Sequence, residues 1–178
     1  LINKINNSKK ISTVVLLISS LIFYGYSSLN HLILFVLSIF INFLIGNKLS
    51  NIKDKKSSVV PRNLLTLGII FNLSLLFLYK YFNFFSSNLS FIGLNIPNPE
   101  LILPIGISFY TFQQIGYLID SRTGKATKSN IFEYAAFVSF FPQLIAGPIV
   151  HHSQFINQIK KIKFNPFNNL YIAKGILI

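Results

Sequence analysis

The sequence predicts an all-α, multi-pass transmembrane protein, and its composition and charge pattern are the basis for that fold class. Of the 178 residues, 52% are hydrophobic and only 11% are charged, whereas soluble domains usually carry about 25% charged residues. The charges are unbalanced, because 16 Lys and Arg stand against 4 Asp and Glu for a net charge of +12. There is also no Cys. These values exclude a disulfide scaffold and a disordered tail, and they disfavour an ordinary soluble enzyme.

The spacing of the charges divides the N-terminal part of the chain into helices. No Asp, Glu, Lys or Arg lies between Lys10 and Lys48. A single helix of that length would extend roughly 55 Å, well beyond a hydrocarbon core about 30 Å thick. We therefore predict two spanning helices, near residues 11–28 and 31–47, with a tight turn at 27–30. A basic loop over 48–62 follows, and a third span covers about 63–82.

The next stretch, residues 83–100, is uncharged until its end and contains Ser86-Ser87-Asn88 and Pro97-Asn98-Pro99. We predict that it forms a loop at the membrane surface. A fourth span should begin near Pro104, which suits the first turn of a helix because it has no N–H to leave unpaired. This helix should end at Asp120. The prediction is thus about four spanning helices.

A fifth helix is predicted to begin at Asn130, because Asn130 and Glu133 have the spacing of an N-cap and its capping box. Pro142 and then Gly147-Pro148 interrupt this helix. Irregular backbone within a membrane is tolerated only where protein or water satisfies its polar groups. We therefore expect residues 131–150 to form a broken, re-entrant helix that faces an interior cavity and not lipid.

A short amphipathic helix follows, because Phe155, Ile156, Ile159 and Ile162 share one face beside a cluster of lysines. Such a helix suits the bilayer interface. The basic stretches at the N-terminus and at 48–62, 121–130 and 160–163 are all cytoplasmic under the positive-inside rule, provided that residues 131–150 enter the membrane and return. The lysines are spread among short loops, which favours attraction to anionic lipid headgroups and disfavours nucleic-acid binding.

Spacings of four and three residues place one polar face along the predicted fourth helix, formed by Gly106, Tyr110, Gln113, Tyr117 and Asp120. Gln114 lies beside this face. Lipid would leave its amides unsatisfied, so the face should turn towards other helices or a wet cavity. Two interpretations remain open: Gln113 and Gln114 hydrogen-bond to neighbouring helices, or this face lines a substrate passage. Asp120, at the end of the helix, is expected to meet Arg122 or solvent.

The break in the fifth helix is the second candidate region, and it contributes Gln143, Gly147, Pro148, His151 and His152. Histidine can act as a general base near neutral pH. Adjacent histidines on an extended segment point in opposite directions, so at most one should face a given pocket. Hydrogen bonding to the broken backbone, or contact with headgroups, is the favoured role for both. The remaining histidine, His31, is expected at the interface.

Other catalytic signatures are missing from the sequence. The four acidic residues are dispersed, and there is no Cys and no glycine-rich phosphate loop. We therefore predict neither a metal site nor a permanently bound cofactor.

Two long motifs closely resemble the membrane-bound O-acyltransferase family. They are LPIGISFYTFQQ at residues 103–114, followed by Tyr117 to Asp120, and FVSFFPQLIAGPI at residues 137–149. Within the family, the bacterial alginate O-acetyltransferase-like branch is the most similar, and residues 19–26 also resemble it. The teichoic acid D-alanyl transfer proteins are related to this branch.

The resemblance implies a multi-pass bacterial enzyme of the cell (inner) membrane. It would transfer an acyl group, here acetyl, to hydroxyls of an exported or cell-surface polysaccharide. The donor would be an acyl thioester such as acetyl-CoA or an acyl carrier, and periplasmic acetyl-transfer proteins are expected partners. The catalytic histidine of the family lies in a later membrane segment, so we expect it beyond Ile178. None of the histidines of this chain corresponds to it, and no catalytic residue is assigned here.

The chain begins at Leu1, contains no Met and ends in an apolar stretch at Ile178. We expect residues 1–178 to be the N-terminal to central part of one membrane domain that continues beyond 178 and has a further helix before residue 1. We also expect this part alone to be inactive. The alternative is a non-enzymatic membrane protein such as a transporter or flippase component, because broken helices near the midplane also serve transport. A structural subunit with a decayed site is a third interpretation.

Overall fold

The computed structural model describes residues 2–54, 62–91, 101–148 and 150–161. These residues form helices and no strand, which confirms the all-α prediction. The helices are α1 (Ile2–Ser27), α2 (Leu29–Asp54), α3 (Arg62–Leu76), α4 (Phe82–Phe91), α5 (Ile107–Thr123), α6 (Ile131–Ser139), α7 (Phe141–Ala146) and α8 (His152–Lys161). A turn of π-helix, Phe77–Tyr81, joins α3 to α4.

In the described part of the chain, three helical segments are long and apolar enough to cross a membrane: residues 10–27, 29–51 and 63–89. They correspond to the first three predicted spans and support the multi-pass prediction. The predicted fourth span, α5, has 17 residues, at the lower limit of about 17–25 for a transmembrane helix. The described residues thus contain three clear candidate spans, and the fourth segment of the prediction, α5, lies at the lower limit of length.

The predicted turn between the first two spans is confirmed, and it consists of Ser28 alone. The Ser28 carbonyl accepts a hydrogen bond from the N–H of Leu32 at 3.0 Å, and its hydroxyl accepts one from the N–H of His31 at 3.4 Å. Ser28 therefore caps α2. His31 lies in the first turn of α2.

Helix α2 continues to Asp54, so the predicted start of the basic loop at Lys48 is wrong. Lysine, asparagine and serine lower helix propensity only slightly and do not stop a helix. Leu49 is fully buried and anchors the additional turn against the protein. Residues 55–61 of the predicted loop lie outside the described residues.

The loop predicted over 83–100 is also wrong for its first half, because residues 83–91 are helical. The Ser87 hydroxyl donates to the Asn83 carbonyl at 2.8 Å, and the Asn88 amide donates to the Phe84 carbonyl at 2.7 Å. Polar side chains that bond one turn back in this way are compatible with a helix. Residues 92–100 lie outside the described residues.

Helix α5 begins and ends later than predicted. Pro104 precedes the helix and closes a turn, in which its carbonyl accepts from the N–H of Ile107 at 3.3 Å. The N-cap is Gly106, whose φ of 69° is left-handed and costs glycine little. The helix passes Asp120 and stops at Gly124, which is also left-handed and donates its N–H to the Asp120 carbonyl.

The capping box at the start of α6 is confirmed. The N–H of Glu133 donates to Asn130 Oδ1 at 2.8 Å, and the N–H of Asn130 donates to Glu133 Oε2 at 3.0 Å. The predicted interruption is confirmed as well, since α6 ends at Ser139, α7 starts at Phe141 and residues 147–148 are not helical. Pro142 lies in the first turn of α7, where its missing N–H costs nothing.

The segment from Ser129 to His152 returns to the end of the molecule from which it starts. Its two ends meet where Ser129 Oγ lies 3.1 Å from His152 Nε2. Its tip lies at the other end of α5, where a Cβ built on Gly106 would come within 2.9 Å of Leu144 Cγ. The path is therefore that of a re-entrant segment, while its depth in a membrane stays a prediction.

Contacts bring the predicted cytoplasmic stretches together at one end of the molecule, here named the basic end. It is defined by Lys10, the last turns of α2 and α5, residues 125–130 and Lys160. The Lys160 ammonium donates to the Lys128 carbonyl at 2.6 Å, and Lys10 and Lys160 line one groove. The opposite end is defined by Ser28, the π-turn and Ser108.

Helix α8 is amphipathic, as predicted, but its apolar face contacts protein. Phe155, Ile156 and Ile159 are all less than 10% exposed. The Phe155 ring packs on the Phe137 ring of α6 at 5.5 Å between centroids. The sequence alone predicted contact with the bilayer interface, because periodicity identifies an apolar face but not what covers it. Ile162 lies outside the described residues.

Two glycines allow α2 and α3 to approach α5 closely. A Cβ at Gly46 would overlap the ring of Tyr117, and a Cβ at Gly68 would lie 2.6 Å from Leu118 Cδ1. Small residues at such positions are typical of helix contacts in membranes, where packing replaces the hydrophobic effect. Helix α5 is therefore the central helix, with α2 and α3 held against it.

We predict that Gly46→Ala lowers the thermal stability of the protein in detergent, because the added methyl displaces a buried ring. Overpacking of this kind costs about 1–3 kcal/mol. Gly116→Ala is the matched control, since a Cβ there meets no atom within 4 Å and alanine favours the helix. Equal melting temperatures for the two variants would contradict the close packing of α2 on α5.

Candidate functional site

The predicted polar face of α5 is turned inward. Tyr110, Gln113, Gln114 and Tyr117 are each at most 5% exposed, whereas Phe112 on the other side of the helix is 50% exposed. The spacing of these side chains therefore predicted their direction correctly. The described helices α2, α3 and α6 enclose them.

An amide network connects α5 to α2 and α3; its members are Ser38, Asn42, Asn72 and Gln114. The Gln114 Oε1 accepts hydrogen bonds from Ser38 Oγ at 3.1 Å and from Asn42 Nδ2. Asn42 and Asn72 bond reciprocally, with the Asn72 amide donating to Asn42 Oδ1 at 2.6 Å. All of these side chains are buried, so the bonds supply partners that the surroundings cannot.

Sequence reasoning missed three members of this network. Ser38, Asn42 and Asn72 lie within stretches that were interpreted only as apolar spans. The available signal was the presence of two asparagines in membrane helices, where an amide requires a partner. For Gln114, the interpretation as a bond to neighbouring helices is observed.

Gln113 connects α5 to the broken end of α6. Its Nε2 donates to the Phe137 carbonyl at 3.2 Å, which is one of the last four carbonyls of α6 and has no partner within that helix. The Gln113 Oε1 is buried without a hydrogen-bond partner in the described protein, as is the hydroxyl of Ser139 at the end of α6. The amide nitrogen of Gln113 thus has a structural role, whereas its amide oxygen is free to accept a hydrogen bond from another group.

Gln143 stabilises the non-helical residues 147–148 that follow α7. Its Nε2 donates to the Pro148 carbonyl at 2.7 Å, and its own carbonyl accepts from the Gly147 N–H at 3.0 Å. A Cβ on Gly147 would lie 2.6 Å from Gln143 Cγ, so only glycine fits there. These three predicted passage residues form a closed turn that stabilises the broken segment.

The two adjacent histidines point in different directions, as expected. His152 is 1% exposed, and its ring packs on Tyr117 at 4.8 Å and on Phe137 at 5.2 Å. The His151 side chain is 71% exposed and lies 3.4 Å from a carboxylate oxygen of Asp120. The observed partner of Asp120 is therefore His151, and the sequence had proposed Arg122 or solvent.

The electrostatics of His152 favour a structural role. Burial lowers its pKa from 6.5 to about 4, and the nearby Lys160 ammonium contributes in the same direction. A general base works best when its pKa is near the working pH. His152 is a weak base at neutral pH, and its Nε2 is committed to Ser129.

The catalytic histidine that the family resemblance implies is expected beyond Ile178. The described residues end at Lys161. The position of that histidine therefore stays a prediction. The described residues accordingly contribute no assigned catalytic base.

Lys80 is a further residue that sequence reasoning missed. It lies in the π-turn of the third membrane segment, and its ammonium is 3.0 Å from the Ser108 hydroxyl and 5.5 Å from the centre of the Tyr81 ring. Charged side chains within membrane helices are frequent at functional sites, and so are turns of π-helix.

Within the described ranges, no group of three or more His, Cys, Asp or Glu could hold a metal ion.

We predict that Asn42→Leu destabilises the protein by about 1–3 kcal/mol, because it leaves Asn72 Oδ1 buried without its donor and removes one of the two donors to Gln114 Oε1. The double variant Asn42→Leu/Asn72→Leu should lose less than the sum of the single losses, since it removes one of the stranded groups. Unfolding in mixed micelles measures these values. Asn88→Leu on exposed α4 is the control. Additive losses would show that the two asparagines do not interact.

We predict that His152 makes stability dependent on pH. Its folded pKa of about 4 lies below the unfolded value of 6.5, so the unfolded chain binds more protons between these values. Its contribution should be complete above pH 6.5 and decline as the pH falls towards 4. The stability difference between the protein and His152→Phe should therefore shrink on acidification. A constant difference between about pH 8 and pH 4.5 would refute this origin.

Comparison with known proteins finds relatives that are named as an O-acetyltransferase, an O-acetylase and a D-alanyltransferase. Peptidoglycan O-acetyltransferase from Helicobacter pylori is 37% identical over 189 residues, which cover 92% of this chain and 35% of that protein. Probable alginate O-acetylase AlgI from Pseudomonas aeruginosa is 32% identical over 158 residues, covering 85% and 30%. A match of 58 residues at 29% identity, to teichoic acid D-alanyltransferase from Lacticaseibacillus rhamnosus, covers 33% of this chain and 14% of that protein.

The chain spans about a third of the length of the first two relatives. No solved structure matches it. The family model for membrane-bound O-acyltransferases matches residues 20–178, a range that contains the amide network, the inward face of α5 and the broken segment. The chain therefore belongs to the membrane-bound O-acyltransferase family, in its alginate O-acetylase-like branch.

Proposed function

We propose that this chain is part of an enzyme that transfers an acetyl group to hydroxyls of an exported or cell-surface polysaccharide. The observation that carries the proposal is the family match over residues 20–178. The names of two relatives, a peptidoglycan O-acetyltransferase and an alginate O-acetylase, support acetyl as the group and a polysaccharide as the acceptor. Both relatives are bacterial, which supports a bacterial inner membrane as the location.

In this enzyme, the described residues build one wall of a passage along α5 and α6. The Gln113 Oε1, Ser139 Oγ and Tyr134 Oη are buried polar atoms without hydrogen-bond partners in the described protein. Leaving such a group unsatisfied costs about 1–3 kcal/mol, which water or a polar substrate in a passage would offset. Tyr110, Gln114 and Tyr117 belong to the same wall.

The turn made by Gln143, Gly147 and Pro148 holds the broken segment in place, so that α6 stays against α5. This turn and the bond between Ser129 and His152 position the wall from both of its ends. The residues of this chain therefore shape the passage and hold its wall in position. A histidine of a later membrane segment, beyond Ile178, supplies the base. His151 and His152 serve the scaffold.

The chemistry would be the attack of an acceptor hydroxyl on the carbonyl carbon of an acyl thioester. The hydroxyl proton passes to the base, the ester C–O bond forms, and the C–S bond breaks to release a thiol. The donor would be acetyl-CoA or an acyl carrier that enters from the basic end, which the positive-inside rule places in the cytoplasm. The glycan, and periplasmic acetyl-transfer partner proteins, would meet the opposite end.

We predict that Gln113→Leu in the cell reduces the O-acetyl content of the surface polysaccharide, on the order of tenfold or more, because one misplaced group at a substrate wall can cost that much. Acetate released by mild alkali from purified polysaccharide measures the content. Gln154→Leu, on the exposed face of α8, is the matched control and should retain the parent level. Membrane protein levels and melting temperatures of both variants separate lost transfer from lost folding.

Deletion of the gene should abolish the alkali-labile acetate. Unchanged acetate in the deletion strain would refute the proposed function. Loss of polysaccharide export with normal acetylation of the remaining polymer would favour a transport component instead.

A further inference from the structure

A groove of about 580 Å³ lies at the basic end between α1, α6 and α8. It is not part of the α5 wall, and nothing in the proposed acyl transfer uses it. Lys10 and Val14 line it from α1, Phe132 and Glu133 from α6, and Lys160 from α8. Three separate helices thus bring two ammonium groups and an apolar floor together.

The position of Lys10 sets the depth of this groove. Lys10 is the last charged residue before the uncharged stretch 11–47, so the positive-inside arrangement puts it at the level where hydrocarbon gives way to headgroups. The groove therefore opens where the phosphates of a bilayer lie. Lysines at this level attract anionic lipids by about 1 kcal/mol each in general.

The charges of the groove are unevenly disposed. The Lys160 ammonium is fixed by its bond to the Lys128 carbonyl, and Lys10 is exposed on the rim. Glu133 is the acid in the lining, and one of its carboxylate oxygens accepts the N–H of Asn130 in the capping box. Two cations therefore face one anion that is already engaged by backbone, which leaves an excess positive charge.

An apolar stripe continues from the groove along α1. Val14, Ile18 and Ile22 are spaced by four residues, which places them in one row on the helix. They are 38%, 51% and 68% exposed, so the row opens progressively towards the opposite end. Phe132, 57% exposed, flanks the start of the row from α6. An acyl chain that begins in the groove has a continuous apolar surface to follow.

We propose that this groove binds one anionic phospholipid, with its phosphate between Lys10 and Lys160 and an acyl chain along Val14, Ile18 and Ile22. A zwitterionic lipid is disfavoured because its ammonium would add to the excess positive charge. The bound lipid joins α1, α6 and α8 at the end where the broken segment starts and returns. The proposal does not depend on acyl transfer.

Native mass spectrometry of the protein, released from micelles supplied with phosphatidylglycerol or phosphatidylcholine, tests this site. The parent protein should retain one phosphatidylglycerol in preference to phosphatidylcholine. Lys10→Gln/Lys160→Gln should reduce that retention roughly tenfold or more, given the general contribution of each lysine. Lys125→Gln/Lys161→Gln is the control, with the same loss of charge at the same end but no residue in the groove, and it should retain the lipid.

Glu133→Gln provides a test that misfolding cannot imitate. Glutamine preserves the capping box and removes the opposing charge, so phosphatidylglycerol retention should rise. The proposal is overturned if the groove double variant retains phosphatidylglycerol as well as the control does. It is equally overturned if Glu133→Gln retains less lipid than the parent, or if phosphatidylcholine is retained as strongly as phosphatidylglycerol.

Discussion

The arrangement of the helices depends on the buried amide network, in which Gln114 accepts hydrogen bonds from α2 and Asn42 of α2 bonds in turn to Asn72 of α3. In a membrane, lipid tails are as apolar as the helix surfaces, so the hydrophobic effect does not select which helices pack together. A buried amide does select, because it is satisfied only where partners stand at the correct height on the neighbouring helix. Asn42 and Asn72 occupy those heights, and Gly46 allows α2 to come close enough for the bonds to form. Helix α5 is thereby fixed in rotation as well as in position.

The same requirement governs the broken segment. Each interruption of a helix frees carbonyl groups, and a membrane protein must provide donors for them internally. The break after Ser139 leaves the Phe137 carbonyl to Gln113, and the break after α7 leaves the Pro148 carbonyl to Gln143. The two side-chain amides therefore replace the missing helical bonds. Gln113 links the polar face of α5 to the irregular path of the following segment, because its amide donates to the Phe137 carbonyl near the end of α6.

Local signals in the sequence predicted local structure well. The turn at Ser28, the capping box at Asn130 and the interruption at Pro142 each follow from the chemistry of a few adjacent residues. Helix ends at Asp54 and Phe91 were not predictable in this way, because a helix can continue into polar residues that bond to its own carbonyls. The pairing of Asn42 with Asn72 was not predictable either. A sequence indicates that an amide needs a partner, but the partner lies on another helix, and only the tertiary packing identifies it.

The direction of the broken segment and the distribution of charge constrain each other. If residues 131–150 crossed the membrane once, the lysines of α8 would lie on the side away from Lys125 and Lys128. The bond between Ser129 and His152 and the contact between Lys160 and Lys128 exclude that arrangement. All of these lysines therefore share the basic end, and the positive-inside rule then assigns that end as a whole to the cytoplasm. The orientation of α5 follows, with Asp120 towards the cytoplasm and Gly106 towards the outside, so the passage that we propose along α5 would run from the cytoplasmic side to the outside.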